Sequence, residues 1–164
     1  MNLSIRKARE EDLESILAIY NQGIADRIAT LEAEEKDYSY IQKWFDDHRG
    51  RYAVLVAVLE DEIIGWASLN RYSHRSAYDG VADLSIYIER TYRGKGVGKV
   101  LLEKLEEIGR SQHFYKILLF TFPFNGLGQG LYKKSGYREV GVFQNQGVLD
   151  GKFVDVMAME KLLL

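Results

Sequence analysis

The segment YIERTYRGKGVGKVLL, residues 87–102, joins two sequence patterns of different period. Ahead of it, residues 81–88 alternate between apolar and polar side chains and are rich in branched and aromatic ones, which predicts a β-strand. Behind it, apolar residues recur at helical spacing: Val97, Leu101, Leu105 and Ile108, with Val100 predicted on the same face. The segment therefore predicts a strand, a glycine-rich turn and an amphipathic helix, in that order.

The glycine-rich turn is suited to holding an anion. Bare backbone at a helix start points several N–H groups outward, at the positive end of the helix dipole, and phosphate fits such a turn best. The lysines of the turn either contact the phosphate or are merely solvated, and the sequence leaves both interpretations open. The predicted phosphate-binding loop comprises Arg93, Gly94, Lys95, Gly96, Val97, Gly98 and Lys99.

Two common phosphate-binding motifs do not fit this loop. A P-loop needs a Ser or Thr directly after its lysine to hold magnesium, whereas Lys99 is followed by Val100. A dinucleotide fingerprint needs a later third glycine and an acidic residue about 20 residues further on. Here no Asp or Glu occurs between Ile108 and Arg138. Both ligand classes are therefore disfavoured.

Composition narrows the class of protein further. The 164 residues predict one domain, 1–164, and 22 Lys and Arg against 24 Asp and Glu give no electrostatic reason to expect nucleic acid or a membrane as partner. The absence of cysteine excludes disulfides and a thiol nucleophile, and three scattered histidines without ligand spacing predict no metal. The start of the sequence lacks the apolar core of a signal peptide, which predicts a cytoplasmic protein.

Periodicity elsewhere predicts an alternation of helices and strands. The predicted strands are 3–7, 53–59, 63–70, 81–88, 115–122, 137–143 and 153–159; the predicted helices are 10–23, 38–50, one from 97 onward and a glycine-weakened one around 127–132. Asp150-Gly151 between the last two strands is a hairpin turn signal. The order β-α-α-β-β-β-α-β-α-β-β predicts a mixed α/β fold with about seven strands.

Two motifs in this order resemble a known family. Arg93-x-x-Gly96-x-Gly98 resembles the acetyl-CoA loop of the GCN5-related N-acetyltransferase (GNAT) superfamily. Asn125, followed by Leu131-Tyr132-x-x-x-Gly136-Tyr137, resembles a second segment of that family at the expected distance. The resemblance implies the GNAT fold: a mixed, mostly antiparallel sheet flanked by helices, whose splayed central strands hold acetyl-CoA.

Within the superfamily, the chain resembles the phosphinothricin acetyltransferase-like branch from about Ile5 to the last strand. The segments that carry this resemblance, in the same order as in the branch, are Ile19-Tyr20-Asn21, Arg75-x-Ala77-Tyr78, Ala82-Asp83-x-Ser85-Ile86-Tyr87-Ile88 and Gly151-Lys152-x-x-Asp155-Val156. Members of this branch commonly pair, so the resemblance also implies a homodimer.

The resemblance carries roles over to particular residues. Backbone N–H groups near Ile86, Tyr87 and Ile88 would receive the pantetheine and the thioester carbonyl of acetyl-CoA. Asn125 would contact CoA, although it is also suited to capping the following helix. Gly126, Gly128 and Gly130 weaken that helix, so either it is loose without ligand or its backbone passes close to CoA.

Asp83 and Tyr132 are the predicted catalytic residues. Asp83 stands where the branch carries a glutamate, and it would take the proton of the amine directly, through a water molecule, or with a pKa raised by burial. The alternative for Asp83 is a structural carboxylate paired with an arginine. Tyr132 would act as general acid toward the CoA thiolate and also contact CoA, the alternative being a tyrosine of the core.

The acceptor site is predicted from the loops around this centre. Arg75 and Tyr78 would lie at its mouth, where an arginine could hold a carboxylate of the substrate or could be a simple surface residue. The segment Ile28-Ala29-Thr30-Leu31-Glu32 would form another wall. The predicted substrate-binding residues are Thr30, Glu32, Arg75, Tyr78 and Asp83.

These observations predict an acetyl-CoA-dependent N-acetyltransferase that acts on the primary amine of a small molecule, an amino acid or an analogue such as phosphinothricin or methionine sulfoximine. Direct attack on the thioester in a ternary complex is expected, since no cysteine is present to carry an acyl group. Two alternatives stay open. One is acetylation of a protein lysine or N-terminus, with the acidic run from Glu32 to Asp37 as a groove wall, and the other is a non-catalytic acyl-CoA-binding module.

Overall fold

The order of strands and helices matches the predicted order. The computed structural model describes residues 2–28 and 30–164. Its elements are β1 (Leu3–Lys7), α1 (Leu13–Asp26), α2 (Tyr38–Asp47), β2 (Val54–Leu59), β3 (Glu62–Arg71), β4 (Val81–Ile88), α3 (Val97–Ser111), β5 (Lys116–Thr121), α4 (Gly126–Lys134), β6 (Arg138–Leu149) and β7 (Lys152–Leu162), with short 3-10 turns at Glu10–Asp12, Ser76–Tyr78 and Arg90–Tyr92. The last two strands are longer than predicted and meet at Asp150-Gly151, whose φ angles of 52° and 77° suit a tight hairpin turn.

The seven strands form one sheet in the order β1-β2-β3-β4-β5-β7-β6, and every pairing except β4 with β5 is antiparallel. β4 and β5 pair in parallel only from Val81 to Asp83, opposite Lys116 to Leu118. The rest of β4, from Leu84 to Ile88, pairs with β3 alone. The two central strands therefore separate halfway along β4, which is the splay that the family resemblance implied.

Alternation along β3 and β4 divides the core between the two faces of the sheet. On one face, Leu69 opposite Leu84 and Ala67 opposite Ile86 pack with α3. On the other face, Trp66 lies opposite Tyr87 and packs with α1 and α2. Asp83 and Ser85 point to this second face too, since side chains two residues apart on a strand share a face. The fold thus has α1 and α2 on one side of the sheet and α3 on the other.

α3 buries a stripe that differs from the predicted one at a single position. Val97, Leu101 and Leu105 are buried as expected. Val100 is 39% exposed, so its prediction on the same face was wrong, and Leu102 is buried instead. At about 100° per residue, Val100 lies about 60° behind Val97. The buried stripe extends in the opposite direction, toward Leu102, because the sheet wraps that side of the helix.

We predict that Leu105→Ala lowers the free energy of unfolding by about 2–5 kcal/mol, because it leaves a cavity in the fully buried face of α3. Val100→Ala is the matched control on the same helix and should change the free energy by less than about 0.5 kcal/mol. Urea denaturation followed by circular dichroism measures both. Equal effects of the two substitutions would contradict the assigned orientation of α3.

Candidate active site

A cavity of about 650 Å³ lies where β4 and β5 separate. Its walls come from the unpaired half of β4, the glycine-rich loop, the end of β5 and α4. Of the residues predicted for the donor or for catalysis, those that line it are Asp83, Ile86, Tyr87, Ile88, Arg93, Gly94, Gly96, Gly98, Lys99, Asn125 and Tyr132. Segments distant in sequence thus meet at the place where the sheet opens.

The glycine-rich loop gives this cavity a wall of bare backbone. Gly94 and Gly96 have φ angles of 77° and 90°, a region that side chains other than glycine rarely adopt. A Cβ at Gly98 would lie 2.9 Å from Cδ2 of Leu131, so a glycine lets the start of α3 pack against α4. The first N–H groups of α3 have no acceptor within the helix, and they are available to an anion.

The cations of the loop differ in position. Arg93 Nη1 donates to Oδ2 of Asp26 at 2.8 Å, and its Nε donates to the carbonyl oxygen of Ile88 at 3.2 Å. Its guanidinium therefore anchors the loop to the end of α1 and to the end of β4. Both lysines are exposed: Lys99 lines the cavity, with Nζ 3.9 Å from Oε1 of Glu103, whereas Lys95 extends over the ring of Tyr92, with Nζ 5.7 Å from the ring centre. Of the two lysines, Lys99 is in position to meet a phosphate.

Val97 contributes to the loop through its backbone. Its side chain is 1% exposed and belongs to the core beneath α3, so it does not line the cavity. The predicted contact of Val97 with the donor thus reduces to its N–H group at the helix start.

Asp83 is a half-buried carboxylate at the last position of β4 that pairs with β5. Burial raises the pKa of Asp83 to about 6, and hydrogen bonds from the Leu84 backbone and the Asn70 side chain oppose this rise only partly. Among the described residues, Asp83 forms no salt bridge, which removes the support for a structural pair with an arginine. A carboxylate with this pKa is a stronger base than an ordinary aspartate.

Tyr132 borders the same cavity from α4. Burial, and to a smaller extent the charge of Asp83, raise the pKa of the Tyr132 phenol to about 12. Its ring lies edge-on to Tyr137, with centroids 5.9 Å apart, and the Tyr137 hydroxyl donates to the buried Glu106 at 3.0 Å. The influence of Asp83 on this phenol reflects their proximity in one cavity.

The start of α4 presents backbone to the cavity. Gly126, Gly128 and Gly130 all line it, and a Cβ at Gly126 or Gly130 would meet no protein atom within 4 Å. The Asn125 side chain accepts a hydrogen bond from the N–H of Gly128 at 3.1 Å, so Asn125 caps this helix and also borders the cavity. The three glycines therefore leave bare backbone at the wall of the cavity, where a ligand can approach it closely.

The predicted acceptor residues are dispersed. Thr30 lines a second cavity of about 240 Å³ on the α1–α2 side of the sheet. Glu32 forms a salt bridge with Lys36 at 2.8 Å and lines neither cavity. Arg75 and Tyr78 lie exposed in the β3–β4 loop and also line neither. From the predicted wall segment, Ile28 lines the main cavity, and Ala29 lies outside the described residues.

Sequence reasoning missed part of the wall of the second cavity. Ser85 and the aromatic residues Tyr20, Tyr40, Trp44 and Trp66 border it. Strand alternation could have indicated Trp66, because β3 and β4 present alternate side chains to each face. On α2, Tyr40 and Trp44 have the spacing of ordinary core residues, and no signal in the sequence distinguishes them.

No helix in residues 2–28 and 30–164 is long and apolar enough to cross a membrane. Within the same residues, no group of three or more His, Asp or Glu side chains is arranged to hold a metal ion.

Comparison with known proteins identifies the family. Residues 4–137 match the family model described as Acetyltransferase (GNAT) family. The Bacillus subtilis protein YwnH, whose name proposes phosphinothricin acetyltransferase activity, is 34% identical over 98% of this chain and 99% of its own length. The L-methionine sulfoximine/L-methionine sulfone acetyltransferase of Pseudomonas aeruginosa is 32% identical over 98% of this chain and 94% of its own.

A solved structure agrees with this assignment. The GNAT superfamily phosphinothricin acetyltransferase of Sinorhizobium meliloti, in complex with AcCoA, superposes with a TM-score of 0.93 at 27% identity, covering 99% of this chain and 89% of that one. Because the family model spans most of the chain and its relatives match nearly full length, the chain belongs to the GNAT acetyltransferase family, as an N-acetyltransferase similar to the phosphinothricin acetyltransferase branch.

Proposed function

We propose that this enzyme transfers the acetyl group of acetyl-CoA to the primary amine of a free amino acid or amino acid analogue, by direct attack in a ternary complex. The observation that carries the proposal is the convergence of the anion-binding loop, Asp83 and Tyr132 on the single cavity between β4 and β5. Relatives named for methionine sulfoximine and phosphinothricin support a small acceptor of this kind.

Acetyl-CoA is the co-substrate, and the cavity offers complementary groups along its length. The pyrophosphate would accept hydrogen bonds from the N–H groups at the start of α3, with Lys99 adding a positive charge. The pantetheine would run along Leu84 to Ile88, whose backbone lacks a strand partner on the β5 side and therefore offers hydrogen bonds to a ligand. N–H groups there would stabilise the oxyanion that forms on the thioester carbonyl.

Asp83 would act as the base that accepts the proton of the amine. The amine attacks only when neutral, so a proton must be removed from the ammonium before or during attack. With its pKa near 6, the carboxylate of Asp83 is ionised at neutral pH and is able to accept that proton. Because aspartate is one methylene shorter than the glutamate of the branch, we favour transfer through one bridging water molecule.

Tyr132 would act as the acid that protonates the leaving CoA thiolate. With its pKa near 12, the phenol keeps its proton at any physiological pH and can donate a hydrogen bond to the sulfur as the C–S bond breaks. As the amide bond forms, one proton leaves the amine and one proton ends on the sulfur, giving free CoA thiol. Tyr132 would supply the latter proton and recover one from solvent.

A small acceptor is favoured over a protein because the acceptor-side cavity holds only about 240 Å³ and is bordered by α1 and α2. The acidic run expected as a groove wall is partly neutralised, since Glu32 pairs with Lys36. Peptides are therefore included among the acceptors tested below, because activity on them would favour the protein-acetylating alternative.

A homodimer is part of the proposal. Val148 on β6 and Phe153 on β7 lie opposite each other and are 59% and 69% exposed. Clustered exposed apolar side chains are typical of a surface that contacts a partner, and a second copy of this chain is the partner we favour. Cytoplasmic location remains a prediction from the sequence.

The first test follows thiol release from acetyl-CoA with a panel of amino acids, phosphinothricin, methionine sulfoximine, polyamines and short peptides. We expect release with free amino acids or their analogues and none with peptides. Tyr132→Phe should lower kcat by about 10²-fold with little change in the KM for acetyl-CoA, because only donation to the sulfur is lost. Tyr115→Phe, at a partly exposed tyrosine outside the cavity, is the matched control.

A second prediction concerns pH. Below pH 6, the wild-type rate constant kcat/KM should rise about tenfold per pH unit, because Asp83 must be ionised before it can take the proton of the bound ammonium group. Above pH 6 and below the pKa of the amine, kcat/KM should be level, because the proton that the ammonium loses is held by Asp83. Asp83→Asn should be slower and should show the tenfold slope throughout. An unchanged break near pH 6 in this variant would exclude Asp83 as the base.

A third prediction concerns the bare backbone of α4. Gly130→Ala should weaken acetyl-CoA binding by about tenfold, since its methyl group would occupy space at the cavity wall, while thermal stability stays equal or rises with helix propensity. Gly141→Ala on β6, where a Cβ also meets no atom, is the control and should leave binding unchanged. Isothermal titration calorimetry with acetyl-CoA measures the affinity of both variants. Equal affinities would show that the ligand does not approach Gly130.

A further inference from the structure

A histidine at the end of α2 has no part in the proposed reaction. His48 follows the last residue of α2, and its ring is partly buried between this helix and β3. One ring nitrogen, Nδ1, lies 2.7 Å from the carbonyl oxygen of Trp44. The other, Nε2, lies 2.7 Å from the amide oxygen of Asn70 on β3. Both nitrogens of the ring therefore face oxygen atoms.

The contact with Trp44 fixes one proton of the ring. The backbone N–H of His48 donates to the carbonyl oxygen of Phe45 at 3.0 Å. The Trp44 carbonyl, which would be its partner in a continued helix, accepts from the ring of His48 instead. A carbonyl oxygen has no proton to give, so Nδ1 must carry a hydrogen.

Asn70 links this ring to the proposed base. It lies directly opposite Asp83 across β3 and β4, and its amide nitrogen donates to the hydroxyl of Ser85 at 3.0 Å. Burial raises the pKa of Asp83, and a hydrogen bond from the Asn70 side chain opposes that rise. An ionised carboxylate accepts hydrogen bonds and repels a second oxygen atom. The amide must therefore turn its nitrogen toward β4 whenever Asp83 is ionised.

The orientation of the amide decides the second proton of the ring. With its nitrogen toward β4, Asn70 turns its oxygen toward His48 and Ser68, and the Ser68 hydroxyl donates to that oxygen at 2.9 Å. An oxygen atom 2.7 Å from Nε2 is stabilised only when Nε2 also carries a hydrogen. The ring of His48 then holds a proton on each nitrogen, which makes it an imidazolium ion.

The surroundings of the ring favour this positive charge. His48 lies at the C-terminal end of α2, where the helix dipole stabilises a cation. The ring centre of Trp44 is 4.5 Å away, within the range of a cation–aromatic contact. The charge that His48 faces through Asn70 is that of Asp83. Within the described part of the chain, His48 forms no salt bridge with its charged neighbours, which are Asp46, Asp47 and Arg49 beside it and Arg71 on β3.

We propose that His48 is a positioning residue for the catalytic base: as an imidazolium ion, it holds the Asn70 amide in the orientation that presents N–H groups to Asp83 and Ser85. This inference rests on the proposed function, because it takes Asp83 as the base. His48 itself lines neither cavity, so it acts on the reaction through Asn70 and not by contact with a substrate.

The first test is the pH dependence of kcat/KM. His48→Leu frees the amide of Asn70, so the ionised form of Asp83 loses a hydrogen bond, and the break near pH 6 should move up by about one unit. At pH 5.5, kcat/KM should then fall about eightfold, whereas at pH 7.5 it should stay within about twofold of the wild-type value. A fall of the same size at both pH values would show a merely structural effect and would overturn the proposal.

Two further variants separate orientation from charge. His48→Gln keeps a donor close to the position of Nε2 without a charge, and its break should stay near pH 6. Asn70→Ala should move the break as far as His48→Leu, and the double variant no further, because both changes act through one amide. Additive shifts, or equal shifts in His48→Gln and His48→Leu, would show that the charge acts on Asp83 directly and would overturn the proposal.

His113→Asn is the matched control, and it should leave the break at its wild-type position. His113 is exposed after the end of α3, and its φ angle of 66° is one that asparagine tolerates.

The protonation of the ring can be read without turnover by nuclear magnetic resonance of isotope-labelled enzyme. The chain has three histidines, and the variants at His48 and His113 assign their ring signals. At neutral pH, both ring nitrogens of His48 should show the chemical shift of the imidazolium ion. A neutral ring with its proton on Nδ1 alone would overturn the proposal, since Asn70 would then have to turn its nitrogen toward the ring.

The same method, applied to labelled carboxylates, measures the pKa of Asp83 in the free enzyme, which should rise in His48→Leu. That rise without thiol release from any amine would support the positioning of Asp83 and overturn the proposed function. Thiol release by an enzyme in which His48→Leu leaves the pKa of Asp83 unchanged would overturn the positioning and leave the function standing.

Discussion

The structure depends on the place where β4 stops pairing with β5. Three residues of β4 are joined to β5, and the remaining five have only β3 beside them. A strand in the middle of a sheet normally satisfies its backbone groups on both sides, so this break leaves donors and acceptors that a ligand can use. The main cavity, its anion-binding loop and the position of Asp83 all follow from that opening.

The surrounding elements hold the opening in shape. Asp26, at the end of α1, forms salt bridges to both Arg90 and Arg93, which anchors the glycine-rich loop to this helix. Across the cavity, Tyr137 supports the ring of Tyr132 and is itself held by Glu106, whose other oxygen accepts from Lys161. The bare backbone of the loop and of α4 lowers local stability, and these anchors offset part of that cost.

The sheet separates two cavities. The donor side is built from α3 and α4, where backbone and Lys99 suit a phosphate-bearing ligand. The second cavity lies on the side of α1 and α2, whose aromatic residues border it. Ser85 and Tyr87 border both, so the unpaired half of β4 is the boundary across which an acetyl group would pass. Burial at this boundary also accounts for the raised pKa values of Asp83 and Tyr132.

Local patterns in the sequence determined the order of the elements, the loop with its glycines, the Asp150-Gly151 hairpin and the family, because periodicity, turn chemistry and motif spacing act over short stretches. Only the tertiary structure decided the exposure of Val100, the pairing of Arg93 with Asp26, the dispersal of Arg75 and Glu32 away from the cavities, and the assembly of aromatic residues around the second cavity. These features depend on which distant segments meet, since a helix face or an aromatic side chain looks the same in sequence whether it borders a core or a cavity.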